Sequence, residues 1–217
     1  MILKSRLFER QQPSRDASLF IIYCEGNRRE PKYFEYFEGI SSRVKLEIIE
    51  ADSQGNNSPK GLLTQAKRDL ESNNEQKNPK YLLGDGDQVW FVIDTDTWGP
   101  QITLLRKQCE TNPCWSVAQS NPCFEVWLYC HFFREKIGAL NTCSEWKIFV
   151  TEQIPGGFDS RKHPLFIADA IVNAESMFVT DHQGPRSGST EVYKLAKALY
   201  PLVAEEVEKA RRKVEGL

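Results

Sequence analysis

Asp94 and Asp96 stand two residues apart at the end of an unbroken apolar run, Val89-Trp90-Phe91-Val92-Ile93. A short run rich in β-branched and aromatic residues predicts a strand buried on both faces, as in a parallel sheet. Residues two apart in an extended chain share one side. Both carboxylates therefore address one point beyond the carboxyl end of that strand, which is where open α/β sheets bind ligands. Two carboxylates ~4 Å apart at an effective dielectric of ~20 repel by about 4 kcal/mol. A shared proton, a basic neighbour or a divalent cation has to offset that. Mg²⁺ suits all-oxygen sites and often takes one or two carboxylates together with substrate phosphates. The plainer alternative is a solvated strand-to-loop turn, because Asp is common in turns.

A second acid occupies the same kind of position. Leu19-Phe20-Ile21-Ile22-Tyr23-Cys24 is another continuous apolar run, and it ends at Glu25-Gly26. A third acid, Glu125, follows Asn121-Pro122, where Asn suits an N-cap and Pro the first helical position. Glu125 either complements the positive helix end or reaches toward the strand ends. His131 lies six residues further, about 120° around the helix at ~3.6 residues per turn, so it and Glu125 would not chelate one ion directly. Arg28, Lys32, Asn121 and His131 are candidate phosphate or substrate contacts.

The elements that must position these residues alternate. Strands are expected at 19–24, 44–50, 89–94 and 114–118, the second of them half-exposed and near an edge. Helices are expected at 31–41, from Ser58-Pro59 through Leu70, around Ile102 to Cys109, and from Asn121 onward. This alternation implies βαβ units and a mostly parallel central sheet flanked by helices, an α/β fold. Asp85 and Asp87 open the Val89 strand and so sit on the side away from Asp94. Residues 1–17 read as a polar arm, 18–135 as the α/β core and 136–217 as a helical C-terminal part. That last part is expected to end in one helix through Leu199 and a charged, solvent-facing one over 201–217.

Composition narrows the function classes. The formal net charge is −2, so no global positive field announces nucleic acid; any such contact must come from a local patch or through a metal. No apolar run approaches the ~20 residues of a membrane span, and residues 1–15 lack a signal-peptide core. The six cysteines form no C-x-x-C pair, so the usual zinc spacing is absent; with no export signal, reduced thiols in a cytoplasm are expected. The three histidines are scattered, against a zinc site.

Glu25 after the first strand, Asp94-Thr95-Asp96 after a later one, and the α/β order together resemble the Toprim domain of topoisomerases, primases and OLD-type nucleases. More closely, the chain resembles the RloB-like family, which looks like a Toprim-fold family. The likeness runs through Ile22-Tyr23-Cys24-Glu25-Gly26, Glu30-Pro31-Lys32-Tyr33-Phe34, Asp94-Thr95-Asp96 and Ser120-Asn121-Pro122-Cys123-Phe124-Glu125-Val126-Trp127-Leu128 to His131-Phe132. It departs at Arg186-Ser187-Gly188-Ser189-Thr190, where that family tends to carry an N-P-S-T-like turn. The resemblance implies a Mg²⁺- or Mn²⁺-dependent nuclease of prokaryotic anti-phage defence, often beside a partner ATPase. In that reading Asp94, Asp96 and Glu25 hold the metal, Glu25 doubles as a general acid or base, and Glu125 orients a second ion or a water. Expected partners are DNA or RNA, an ATPase and, in a homo-oligomer, a second copy of this chain; no membrane contact is expected. Two other functions fit the same residues. One is a non-catalytic regulatory subunit of an ATPase complex. The other is a haloacid-dehalogenase-like phosphatase with Asp94 as nucleophile.

Overall fold

The fold is given by a computed structural model. It describes residues 8–51, 57–71, 78–95, 98–138, 140–182 and 184–215. Asp96, half of the expected Asp pair, lies outside them.

Strand β1 (Ser18–Cys24) is followed by the short helix α1 (Arg29–Phe34), a 3-10 turn at Glu35–Phe37, and β2 (Val44–Ile49). Helix α2 (Pro59–Leu70), β3 (Gln88–Asp94), α3 (Gly99–Glu110) and β4 (Trp115–Asn121) complete the alternating half. Ser58 caps α2 by accepting the backbone N–H of Gly61, with Pro59 in the first turn, as Ser-Pro signals predict. The C-terminal half adds α4 (Glu125–Tyr129), α5 (Cys143–Gln153), a 3-10 turn at His163–Phe166, and α6 (Ile167–Met177). The short strands β5 (Thr180–Asp181), β6 (Gly184–Pro185) and β7 (Ser189–Thr190) precede the long helix α7 (Val192–Glu215).

The central sheet has five strands in the order β2-β1-β3-β4-β7. All pairs are parallel except β4 with β7. Period-two alternation divides its side chains between two cores. Phe20, Ile22, Cys24, Trp90, Val92 and Ala118 face α1 and α4 to α7, while Ile21, Tyr23, Val89, Phe91, Ile93 and Val117 face α2 and α3. Both faces of β1 and β3 are covered, so these strands read as continuous apolar runs; β2 is the edge and keeps Lys45 exposed.

Four expectations need correction. The helix expected over 31–41 is only α1 plus a 3-10 turn. Strand β4 runs three residues past Ala118, because Ser120 and Asn121 pair with Thr190 and Ser189 of β7. Asn121 is therefore a strand residue, not a helix cap; the Asn121–Pro122 peptide is cis, and α4 begins only at Glu125. Finally, Pro201 lies inside α7 and does not end it. Val203, Val207 and Ala210 are buried, so this segment carries a core stripe in addition to its charged face. The same apolar cluster joins Phe20 and Trp90 to Trp146, Leu165, Leu199 and Val207, so residues on both sides of position 135 share one core.

Candidate active site

The sheet order places β1 between β2 and β3. The chain leaves β1 on one side, through α1 to β2, and returns on the other, through α2 to β3. The carboxyl ends of β1 and β3 thus form the crevice at the point where the strand order reverses, the ligand position of open α/β sheets. Glu25 follows β1 and Asp94 ends β3. A cleft of about 260 Å³ opens there, lined by Glu25, Gly26, Arg28, Arg29, Glu30, Asp94, Glu125 and Lys147 among others.

Glu25 is fixed from two directions. Its Oε2 accepts the backbone N–H of Asp94 at 2.8 Å, and its Oε1 accepts the indole N–H of Trp98 at 2.7 Å. Asp94 shares the strand parity of Trp90 and Val92, so it points to the side where α1 and α4 lie. Its Oδ1 accepts the backbone N–H of Phe124 at 2.9 Å, which ties the end of β3 to the start of α4. Part of Asp94 reaches the cleft surface. Its carboxyl nonetheless sits deep enough that burial pushes its pKa well above the ordinary carboxylate range, and the negative charges of Glu30, Glu25 and Glu125 push the same way.

Glu30 and Glu125 enter from the two helices and are 8% and 2% exposed. Burial raises the pKa of Glu30, and the charge of Glu125 adds to it, while Lys147 and Arg29 pull it down. A Cβ placed on Gly26 would sit 2.1 Å from Glu30 Oε2, so this glycine makes the space into which the Glu30 carboxylate packs. Glu125 Oε1 lies 3.2 Å from Arg29 Nη1. The contact has the distance of an ion pair but not the alignment of a hydrogen bond, and Glu125 Oε1 is buried without a hydrogen-bond partner.

Of the residues expected from sequence, the structure brings together Glu25, Asp94, Glu125 and Arg28. Lys32 is exposed and does not line the cleft. Asn121 donates from Nδ2 to the Pro185 carbonyl at 2.8 Å. It lines a different cleft, on the far side of β4's end, with Thr95, Gln119 and Arg186. His131 is 2% exposed, with Nδ1 3.0 Å from the Trp127 carbonyl and Nε2 3.1 Å from the Tyr33 hydroxyl. A carbonyl can only accept, so Nδ1 carries the proton and the Tyr33 hydroxyl donates to Nε2. Burial holds the imidazole neutral, its pKa lowered to about 3. His131 is a packing residue with no nitrogen left for a phosphate. Asp87, expected away from the site, accepts the backbone N–H groups of Leu19 and Gly84 at the opposite end of the sheet.

Glu30, Trp98, Arg29 and Lys147 belong to the site and were not singled out from sequence. Only Glu30 carried a signal: it is an acid amid Pro31, Tyr33 and Phe34, all of which are buried.

Among the described residues, no group of three or more His, Cys, Asp or Glu side chains is close enough to hold a metal ion. The chemistry of the donors still suits a hard divalent cation. The lining acids offer oxygen only, Glu125 Oε1 is a buried oxygen lacking a hydrogen bond, and burial, joined by the charges of Glu30, Glu25 and Glu125, drives the pKa of Asp94 up. A cation would relieve each of these conditions. No described helix is long and apolar enough to cross a membrane.

The family model for RloB-like proteins matches residues 20–199. The chain belongs to the RloB-like family. No curated protein and no solved structure matches it.

Proposed function

We propose that this member of the RloB-like family is a Mg²⁺- or Mn²⁺-dependent phosphodiesterase that cuts DNA or RNA, in the manner of Toprim nucleases, as part of prokaryotic anti-phage defence. One observation carries the reading: Glu25, Glu30, Asp94 and Glu125 line one cleft at the crevice between β1 and β3. Acids are not gathered and partly buried at a ligand crevice without cost, and such clusters mark sites where charge is handled. Asp94, Glu125 and Glu25 would hold the cation; Asp96, expected as a further ligand, lies outside the described residues. A bound cation supplies polarisation of a phosphoryl oxygen and a lowered pKa for the attacking water.

The chain's own groups do the rest. Glu25, held by the Asp94 amide and the Trp98 indole, presents its carboxylate in one orientation, which suits a ligand or a base for the water's proton. Asp94, anchored through the Phe124 amide, keeps α4 and Glu125 in register with the strand ends. Arg28 at the rim offers positive charge to the nucleic-acid backbone.

The test is cleavage of labelled single- and double-stranded DNA and RNA with Mn²⁺, with Mg²⁺ and with EDTA. The wild type is expected to cut at least one substrate only with metal, and Asp94→Asn to cut none while remaining folded. Metal-independent cleavage, or an Asp94→Asn variant as active as wild type, overturns the proposal. A second reading draws on the spacing of the described acids, which do not converge on an ion: a regulatory subunit of an ATPase complex whose site is completed by its partner. Co-purification with an ATPase encoded beside it, and metal-dependent cleavage only in that complex, would favour it.

A further inference from the structure

The contact between Glu125 and Arg29 is asymmetric. The carboxylate side chain is 2% exposed and the guanidinium side chain 47%. An arginine that serves a carboxylate structurally usually meets it with two aligned N–H groups. Here a single nitrogen stands at 3.2 Å and leaves Glu125 Oε1 without a hydrogen bond. The buried acid needs the positive charge; the arginine, about half exposed, loses less by leaving. Arg29 lines the cleft together with Lys147 of α5, and both cations act on the Glu30 carboxyl as well. The planar fork of a guanidinium matches two oxygens of a phosphate better than it matches one oxygen of a recessed carboxylate.

We propose that Arg29 is a substrate-binding residue parked on Glu125, which it leaves for the anionic oxygens of a nucleic-acid phosphate, freeing Glu125 Oε1 for a divalent cation. This deepens the phosphodiesterase reading and rests on it. Without phosphate, Arg29 competes with the cation for Glu125. With phosphate, the guanidinium is drawn off, so cation and nucleic acid strengthen each other's binding. Lys147, which lines the same cleft and whose charge acts on Glu30, keeps that side of the cleft from repelling the incoming phosphate.

The sign of one measurement separates this role from a structural one. Mn²⁺ is titrated by calorimetry into the full chain without nucleic acid, as wild type, Arg29→Ala and Arg29→Lys, with circular dichroism checking each fold. Deleting the competing charge should tighten Mn²⁺ in Arg29→Ala by about three- to tenfold, after allowing for solvent screening. A labelled single-stranded oligonucleotide, followed by anisotropy in Ca²⁺, should bind Arg29→Ala about tenfold more weakly, with Arg29→Lys in between. If Arg29 merely held Glu125 in place, its loss would weaken Mn²⁺ or leave it unchanged. Either result, or unaltered oligonucleotide affinity, overturns the assignment of Arg29 alone. A wild-type chain that takes up no Mn²⁺ defeats the metal reading itself, and this proposal with it.

Discussion

Glu25 Oε2 accepts the backbone N–H of Asp94, so the acid at the end of β1 is bonded to the residue that carries the acid at the end of β3. The two strands pair in parallel through Cys24 and Val92, and the Glu25 amide donates to the Val92 carbonyl at 3.0 Å. Register alone thus brings the acids side by side, and the side-chain bond fixes one against the other. The arrangement concentrates negative charge where an isolated fold gains nothing from it, and the cost falls mostly on Asp94.

Replacing Asp94 should therefore separate stability from function. In Asp94→Asn the amide oxygen can still accept the Phe124 N–H, while the ionisable group is gone. The folded-state pKa of Asp94 is raised, so its contribution is fully present below the ordinary carboxylate value and is lost as pH rises above it. The asparagine variant is expected to melt higher than wild type in EDTA, by roughly 2–4 °C for each kcal/mol relieved. The gap should widen from pH 5 to pH 8. Metal-dependent cleavage should vanish. A variant that melts lower at pH 8 would show that the Asp94 charge is compensated in the metal-free protein.

Much of this was legible from residue order. The runs ending in Glu25 and Asp94 are continuous because both faces of β1 and β3 are covered, and the parallel order then sets both acids at one edge. Long-range pairing was not legible. Asn121-Pro122 reads as a helix start from local signals, but Ser120 and Asn121 belong to a strand because Ser189 and Thr190 come back to pair with them. Glu30 can be read as an ordinary first-turn acid despite its apolar neighbours; its burial and the space over Gly26 show that its carboxylate packs inward. Pro201 reads as a break, yet Leu195, Leu199, Val203 and Val207 keep a four-residue stripe through it, and burial of that stripe prevails over the local penalty.

The absence of a side chain at Gly26 is itself a requirement of the site. In Gly26→Ala the new methyl and the Glu30 carboxylate cannot both keep their places. The obstacle is the end of a flexible side chain, so the carboxylate swings and the backbone stays. Thermal stability is expected to change by no more than about 1 kcal/mol, whereas metal-dependent cleavage falls by about tenfold or more. Equal losses of stability and activity would mean that Gly26 serves the backbone and not the Glu30 carboxylate.

His131 predicts a pH dependence with the opposite sign to Asp94. Its folded-state pKa is lowered to about 3 by burial, below the ~6.5 of an unfolded histidine. Between those values the unfolded chain binds a proton that the folded chain does not. Its contribution is thus present above pH 6.5 and lost as pH falls toward 3. One such proton is worth about 1.4 kcal/mol per pH unit. Urea unfolding of the wild type and His131→Gln at pH 7, 6 and 5 should give a shallower fall for the variant, even though glutamine lowers stability at pH 7 by disturbing the Tyr33 and Trp127 contacts. Parallel curves would show that the ring is protonated in the folded protein.

Trp98 holds the other oxygen of Glu25 and is the group whose loss should disturb the carboxylate without removing it. Trp98→Phe keeps the aromatic packing and deletes the N–H that Glu25 Oε1 accepts. With the Trp98 bond gone and the Asp94 amide still on the other oxygen, the carboxylate is held less firmly in its orientation toward an incoming water or cation. The cost of one lost charge-assisted bond is about 1.5–3 kcal/mol if the oxygen stays buried, and less where cleft water replaces the indole. Metal-dependent cleavage is expected to drop about ten- to a hundredfold in kcat with little change in KM, because substrate contacts are untouched. Glu25→Gln should lower activity much further, to a small residual rate, and the Trp98→Phe/Glu25→Gln double variant should be no slower than Glu25→Gln alone. Additive losses in that cycle would mean that Trp98 acts on the reaction by a route other than Glu25.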